Sequence, residues 1–196
     1  MASSQRKLPD TMTADEFLAW PGDGAGGKYQ LVDGALRAMS PASAVHGRIQ
    51  GNLAKIIATH LDGASGRCGL YTEPAIHVQV RAKINTRVPD LGVSCAKVTA
   101  QDIALPDPIL LIEILSPGNK SDTWDNVWAY CTIPSVREIL IISSTRMEAE
   151  FLQRDANGNW PSDAINIGTG GTLSLSSIDL TILLADAYAG TYLAGA

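Results

Sequence analysis

The sequence predicts an α/β domain organised around one buried strand, and three stretches carry that prediction. Residues 109–115, read as Ile-Leu-Leu-Ile-Glu-Ile-Leu, form an apolar run too short for a helix, with Pro106-Asp107-Pro108 before it and Pro117-Gly118 after it. That is the pattern of a strand covered on both faces. Residues 122–132 then read as a helix and 138–142 as a second apolar strand, an order that predicts a right-handed crossover with the two strands parallel. Upstream, two short strand-like runs within 28–38 flank Asp33-Gly34, the pair that best tolerates the positive φ angles of a type I′ turn, and so predict an N-terminal hairpin.

The chain has 196 residues, 45% hydrophobic and 18% charged, enough for one good-sized core. Residues 1–10 read as a flexible tail and 11–196 as a single domain. A net charge of -5 argues against a protein that coats nucleic acid through a broad basic surface, although it leaves room for a local basic cleft. Cys68, Cys95 and Cys131 lack C-x-x-C spacing and are odd in number, which speaks against a disulfide framework or a zinc site. No run has the length of a signal peptide core or a membrane span, so the expectation is a cytoplasmic protein that does not enter a membrane.

In chain order, Thr13-Ala14-Asp15-Glu16 fits a capping box opening a short helix that Pro21-Gly22 ends. After the hairpin, residues 44–61 place Ile49, Leu53, Ile56, Ile57 and Leu61 on one helical face. His46 falls in the first turn of that helix, where the dipole lowers imidazole basicity and the ring can look into a cleft or simply cap the surface. Ile76, Val78 and Val80 alternate with polar residues, predicting a strand with one buried face. Pro89 belongs at a strand start, bulge or edge, which puts Asp90 where a strand covering 90–93 is locally distorted. Asp122 reads as an N-cap. Trp124 and Trp128, four apart, share a helix face and read as packing. Arg137 and Glu138 read as a structural pair. Residues 147–154 and 164–168 suggest a hairpin around Asn157-Gly158, and 180–192 a closing apolar helix.

Glu113 interrupts the central strand, and a carboxylate buried there must face a cation, a basic side chain or a wet cleft. Two readings stay open. Glu113 pairs with Lys120, Arg87 or another basic side chain, or Asp90 and Glu113 together ligate a hard divalent cation that retains waters and accepts phosphate oxygens.

The segments Tyr29-Gln30-Leu31-Val32-Asp33-Gly34, Met39-Ser40-Pro41 with His46, Val88-Pro89-Asp90, Ile112-Glu113-Ile114-Leu115-Ser116-Pro117 and Val136-Arg137-Glu138-Ile139 together resemble the Uma-type family of restriction endonucleases, within the PD-(D/E)XK nuclease-like superfamily. The resemblance implies a restriction-endonuclease-like mixed central β-sheet flanked by helices. It implies Asp90 and Glu113 as ligands of magnesium, or manganese in its place, and hydrolysis of phosphodiester bonds in nucleic acid, with DNA the expected substrate and a homodimer the expected assembly.

The superfamily's simplest pattern has a lysine two residues after the glutamate, where this chain has Leu115. The family commonly moves that lysine to four residues before a tyrosine, and counting back from Tyr130 gives Asn126. Lys120 is then the candidate to reach the site from the loop after the strand. Gln30 stands where the family often has glutamate and would supply a neutral oxygen. Gln30, His46 and Asn126 are the expected supporting residues. The alternative is a catalytically silent module that keeps the fold for binding or assembly.

Overall fold

The computed structural model describes residues 9–64, 67–118 and 120–195. Apart from Pro9 and Asp10, the expected tail lies outside the described residues. Helix α1 (Ala14–Ala19) has the expected capping box: the Thr13 hydroxyl accepts from the Glu16 amide, and the Glu16 carboxylate accepts from the Thr13 amide. Strands β1 (Tyr29–Val32) and β2 (Ala35–Ala38) form the hairpin, with Asp33 at φ 50° and Gly34 at φ 81°, both in the left-handed region a type I′ turn requires. Helix α2 (Ala44–Gly63) follows, capped by the Ser43 hydroxyl.

Then come β3 (Gly69–Thr72), β4 (Ile76–His77), β5 (Thr86–Arg87), β6 (Leu91–Ser94) and the central β7 (Pro108–Leu115). Helix α3 (Lys120–Tyr130) crosses to β8 (Glu138–Ser143), which lies parallel to β7 as the strand-helix-strand order predicts. The chain ends with β9 (Ala149–Gln153), β10 (Ile165–Ile167), β11 (Thr172–Leu175), β12 (Leu180–Leu183) and α4 (Leu184–Ala187).

The main sheet is mixed, in the order β10-β9-β8-β7-β6-β3, and a smaller sheet runs β2-β1-β5-β4. Side chains alternate across β7 and β8 and so divide the core in two. Leu110, Ile112, Ile114, Leu140 and Ile142 pack with Ile49, Leu53, Ile57 and Leu61 of α2. Leu111, Ile139 and Ile141 face the other way, onto Val127, Ala129 and Tyr130 of α3. By the same alternation Glu113 points to the α3 side. This is the expected mixed sheet flanked by helices.

Several expectations are corrected. Residues 180–192 do not form one helix. Leu180 and Ile182 are buried while Thr181 and Leu183 are exposed, a period of two, and β12 pairs with β11, which alternates in the same way. The strand expected through Val80 stops at His77. Val78 is still buried, but Val80 is exposed and Arg81 turns the chain at φ 46° into a 3-10 turn, Ala82–Ile84. Asp122 is the third residue of α3 rather than its cap.

Glu138 does not pair with Arg137. Its buried carboxylate accepts from the amides and hydroxyls of Ser176 and Ser177 and from Gln153. Cys68 and Cys95 form a disulfide, contrary to the reading of unpaired thiols. The β3–β6 register pairs Gly69 with Ser94, so the two cysteines face one another one step beyond the ladder, a proximity that sequence spacing does not reveal. Cys131 remains a thiol, half-buried, and burial pushes it up to about 11. Among the described residues no helix is long and apolar enough to cross a membrane.

Candidate active site

Pro89 has no amide hydrogen to offer a ladder, and at this point the chain leaves β5 in the small sheet and enters β6 in the main one. Asp90 sits at that crossing. Its backbone carbonyl accepts from the Glu73 amide and from Gln50 Nε2, each at 3.0 Å, so its main chain is held on two sides. Its carboxylate is also held twice: Oδ1 faces His46 Nε2 at 2.9 Å, and Oδ2 accepts from the Ile114 amide at 2.6 Å. A carboxylate oxygen only accepts, so His46 Nε2 is the donor of that bond, and Nδ1 faces the Ser116 hydroxyl at 3.1 Å. The α2 cap at Ser43 therefore fixes the turn from which His46 reaches across to β6 and the end of β7.

Glu113 is held less completely. Tyr130 donates its hydroxyl to Oε1 at 2.8 Å and Asn126 donates Nδ2 to the same oxygen at 3.2 Å. The two donors are four apart on α3 and so share a face. Oε2 accepts no hydrogen bond among the described residues. Burial, reinforced by the negative charge of Asp90, pushes the Glu113 carboxyl up to about 8, against the pull of Tyr130 and Asn126. Burial, with Glu113 beside it, likewise raises the Tyr130 phenol well above its ordinary range. Among the described residues neither carboxylate is in an ion pair with lysine or arginine, so Glu113 is not the partner of Lys120 or Arg87.

Both carboxylates open into a cavity of about 420 Å³ that β1, β2, β5, α2 and α3 close around. Gln30, His46 and Asn126, the expected supporting residues, line it, and so does Ser116. The Gln30 Oε1 and Asn126 Oδ1 atoms are buried there with no hydrogen-bond partner among the described residues. Lys120 is exposed at the start of α3 and does not line the cavity. A larger hollow of about 540 Å³ by α1 and the 101–108 loop contains neither Asp90 nor Glu113.

Sequence reasoning used Tyr130 to locate Asn126 and read Arg87 only as a structural partner. The four-residue spacing of Tyr130 from Asn126 and the position of Arg87 three residues before Asp90 were the available signals.

The site thus combines a mixed sheet, one carboxylate entering a strand and another inside the next, both open to one cavity. A family model described as "Uma2: Putative restriction endonuclease" matches residues 14–183, and the chain belongs to that family. It is 27% identical over 183 residues to an uncharacterized protein of Synechocystis sp. (strain ATCC 27184 / PCC 6803 / Kazusa), covering 91% of this chain and 92% of that one. In fold it is similar to the crystal structure of "a putative nuclease belonging to DUF820" from Anabaena variabilis ATCC 29413, with a TM-score of 0.73, 15% identity, and coverage of 90% of this chain and 97% of the other.

Proposed function

We propose that this protein is a metal-dependent endonuclease that hydrolyses phosphodiester bonds in DNA, with Asp90 and Glu113 as the ligands of magnesium or manganese. The observation that carries the reading is the pair of buried carboxylates, with burial and then Asp90 raising the pKa of Glu113 and no lysine or arginine paired with either among the described residues. Among the described residues no cluster of three or more histidine, cysteine, aspartate or glutamate side chains is set for a metal. An ion here would rest on two carboxylates and neutral oxygens, a small donor set that suits magnesium, which keeps several waters. The unpartnered Gln30 Oε1 and the open Oε2 of Glu113 fit that requirement.

When bound, the ion supplies a water of lowered pKa and positive charge toward the phosphate. The chain's own residues do the positioning. His46 and the Ile114 amide fix the Asp90 carboxylate, and Tyr130 with Asn126 fixes one oxygen of Glu113 and leaves the other free. Asn126, at the position where the family commonly has lysine, therefore orients a carboxylate and brings no charge. That observation favours the second reading, a fold kept for binding or assembly. A homodimer would bring two such sites to two strands of a duplex.

The test is cleavage of supercoiled plasmid and single-stranded DNA with magnesium or manganese, using the wild type, Asp90→Ala and Glu113→Ala. The expected result is cleavage by the wild type and a loss of at least about 1000-fold in both variants, with circular dichroism unchanged. No cleavage by the wild type with either metal, or equal cleavage by all three proteins, would hand the case to the silent module.

A further inference from the structure

Three cations line the cavity, Lys28, Arg37 and Arg87, and their surroundings separate them. Lys28 is exposed and paired with Glu73. Arg87 is only 5% exposed, yet it has no carboxylate partner among the described residues. One end of its guanidinium, Nη1, donates to the Leu31 carbonyl at 2.5 Å and to Asn85 Oδ1 at 2.8 Å. Its Nε is buried with no partner, and Nη2 makes no hydrogen bond among the described residues. Asp33 and Asp125 act on it only from beyond ion-pair distance, so burial still lowers its pKa, and leaving its donors unused adds to the cost. An anion in the cavity would relieve that arrangement.

The strand registers add a second observation. In the antiparallel β2–β1 pair, Arg37 stands opposite Gln30. In the β1–β5 pair Leu31 stands opposite Thr86, so one step along the same register Arg87 stands opposite Gln30. Cross-strand partners share a face of the sheet. Arg37, Gln30 and Arg87 therefore form one row across the small sheet, with all three residues lining the cavity. Arg37 is exposed at one end, with no ion pair among the described residues, and Arg87 is buried at the other.

We propose that this row is an anion subsite for the phosphate groups of the substrate, with Arg87 contacting a phosphate oxygen inside the cavity and Arg37 a neighbouring phosphate at its mouth. The proposal rests on the nuclease reading for the substrate, although the subsite itself requires only a phosphate. It assigns the positive charge absent at Leu115 and Asn126 to a different strand. A planar guanidinium held at one end by Leu31 and Asn85 is fixed in orientation, and Nη2, not sealed off as Nε is, is the donor left for a phosphate oxygen.

The test uses the full chain as wild type, Arg87→Gln, Arg87→Lys and Arg37→Gln. The first readout is binding of a short DNA duplex with calcium over a range of salt concentrations. The second is stabilisation against heat by inorganic phosphate. Expected are at least tenfold weaker duplex binding in Arg87→Gln, a salt slope reduced by about one, and loss of the phosphate-dependent stabilisation. Arg87→Lys should keep the slope while binding more weakly, and it answers the question if Arg87→Gln fails to fold. Arg37→Gln should lose a few-fold in duplex affinity.

Wild-type affinity and slope in Arg87→Gln, or a wild type indifferent to phosphate, would overturn the subsite. Phosphate binding through Arg87 in a protein that cleaves nothing would sink the nuclease reading and leave the subsite standing. Cleavage that needs Asp90 but is indifferent to Arg87 would do the reverse.

Discussion

Two glutamates lie buried on neighbouring parallel strands, Glu113 on β7 and Glu138 on β8, and their surroundings differ sharply. The Glu138 carboxylate receives five donors, with both oxygens engaged, from the Ser176 and Ser177 turn and from Gln153. Glu113 receives two donors on a single oxygen, has Asp90 beside it, and opens into a cavity. Burial is common to both, so burial alone does not mark function. The useful distinction is whether the protein itself completes the carboxylate's hydrogen bonding. Where it does, the group ties elements together; where it stops short, the remaining lone pairs await something from outside.

The comparison is broken most directly at Glu138. Glu138→Ala should strand the Ser176 and Ser177 amides and cost about 3 kcal/mol, lowering the melting temperature by about 10 °C, with cleavage per folded molecule retained. Calorimetry and a plasmid assay check it, and a melting temperature within about 2 °C of wild type would remove the structural role assigned to Glu138.

The next effect is read in pH. The Glu113 carboxyl lies near 8 in the folded metal-free protein, above its ordinary value of 4.5. Between those values the folded chain keeps a proton that the unfolded chain has released, so folding stability falls as pH rises through that window and levels off above it. Glu113→Gln, uncharged throughout, should flatten the decline in thermal melts from pH 5 to 8 without metal, whereas Asp15→Asn, in exposed α1, should keep it. An undiminished slope in Glu113→Gln would place the source elsewhere.

The smallest effect sharpens the site's outline. Lys120→Ala should leave cleavage within about twofold of wild type, because that side chain does not line the cavity. A loss of about 100-fold or more would restore the lysine to the chemistry.

The elements read correctly from sequence were those whose signals are local. The Asp33-Gly34 hairpin, the apolar stripe of α2, the capping box at Thr13 and the crossover from β7 through α3 to β8 follow from turn chemistry, periodicity and chain order. Asp90 and Glu113 stood out because a proline-flanked acid and an acid inside an apolar run are both unusual, and the structure buries both beside one cavity. What escaped depended on distant pairing. β12 resembled a helix because its partner β11 was not recognised, and Cys68 meets Cys95 only through the β3–β6 register. The donors of Glu138 lie 38 and 39 residues away at Ser176 and Ser177. That Arg87 lines the cavity escaped for a similar reason, since its alignment with Gln30 and Arg37 exists only once three strands are placed side by side.

The seam at Val88-Pro89-Asp90 has a mechanical consequence. Gln30, Arg37 and Arg87 belong to the small sheet, whereas Glu113 belongs to the main sheet and Asp90 stands at its entrance. Any group that fills the cavity and engages both sets of side chains acts as a clasp between the sheets, and its binding free energy becomes cohesion between them. Occupancy of the site and rigidity across the seam are thus one coupled property of the molecule.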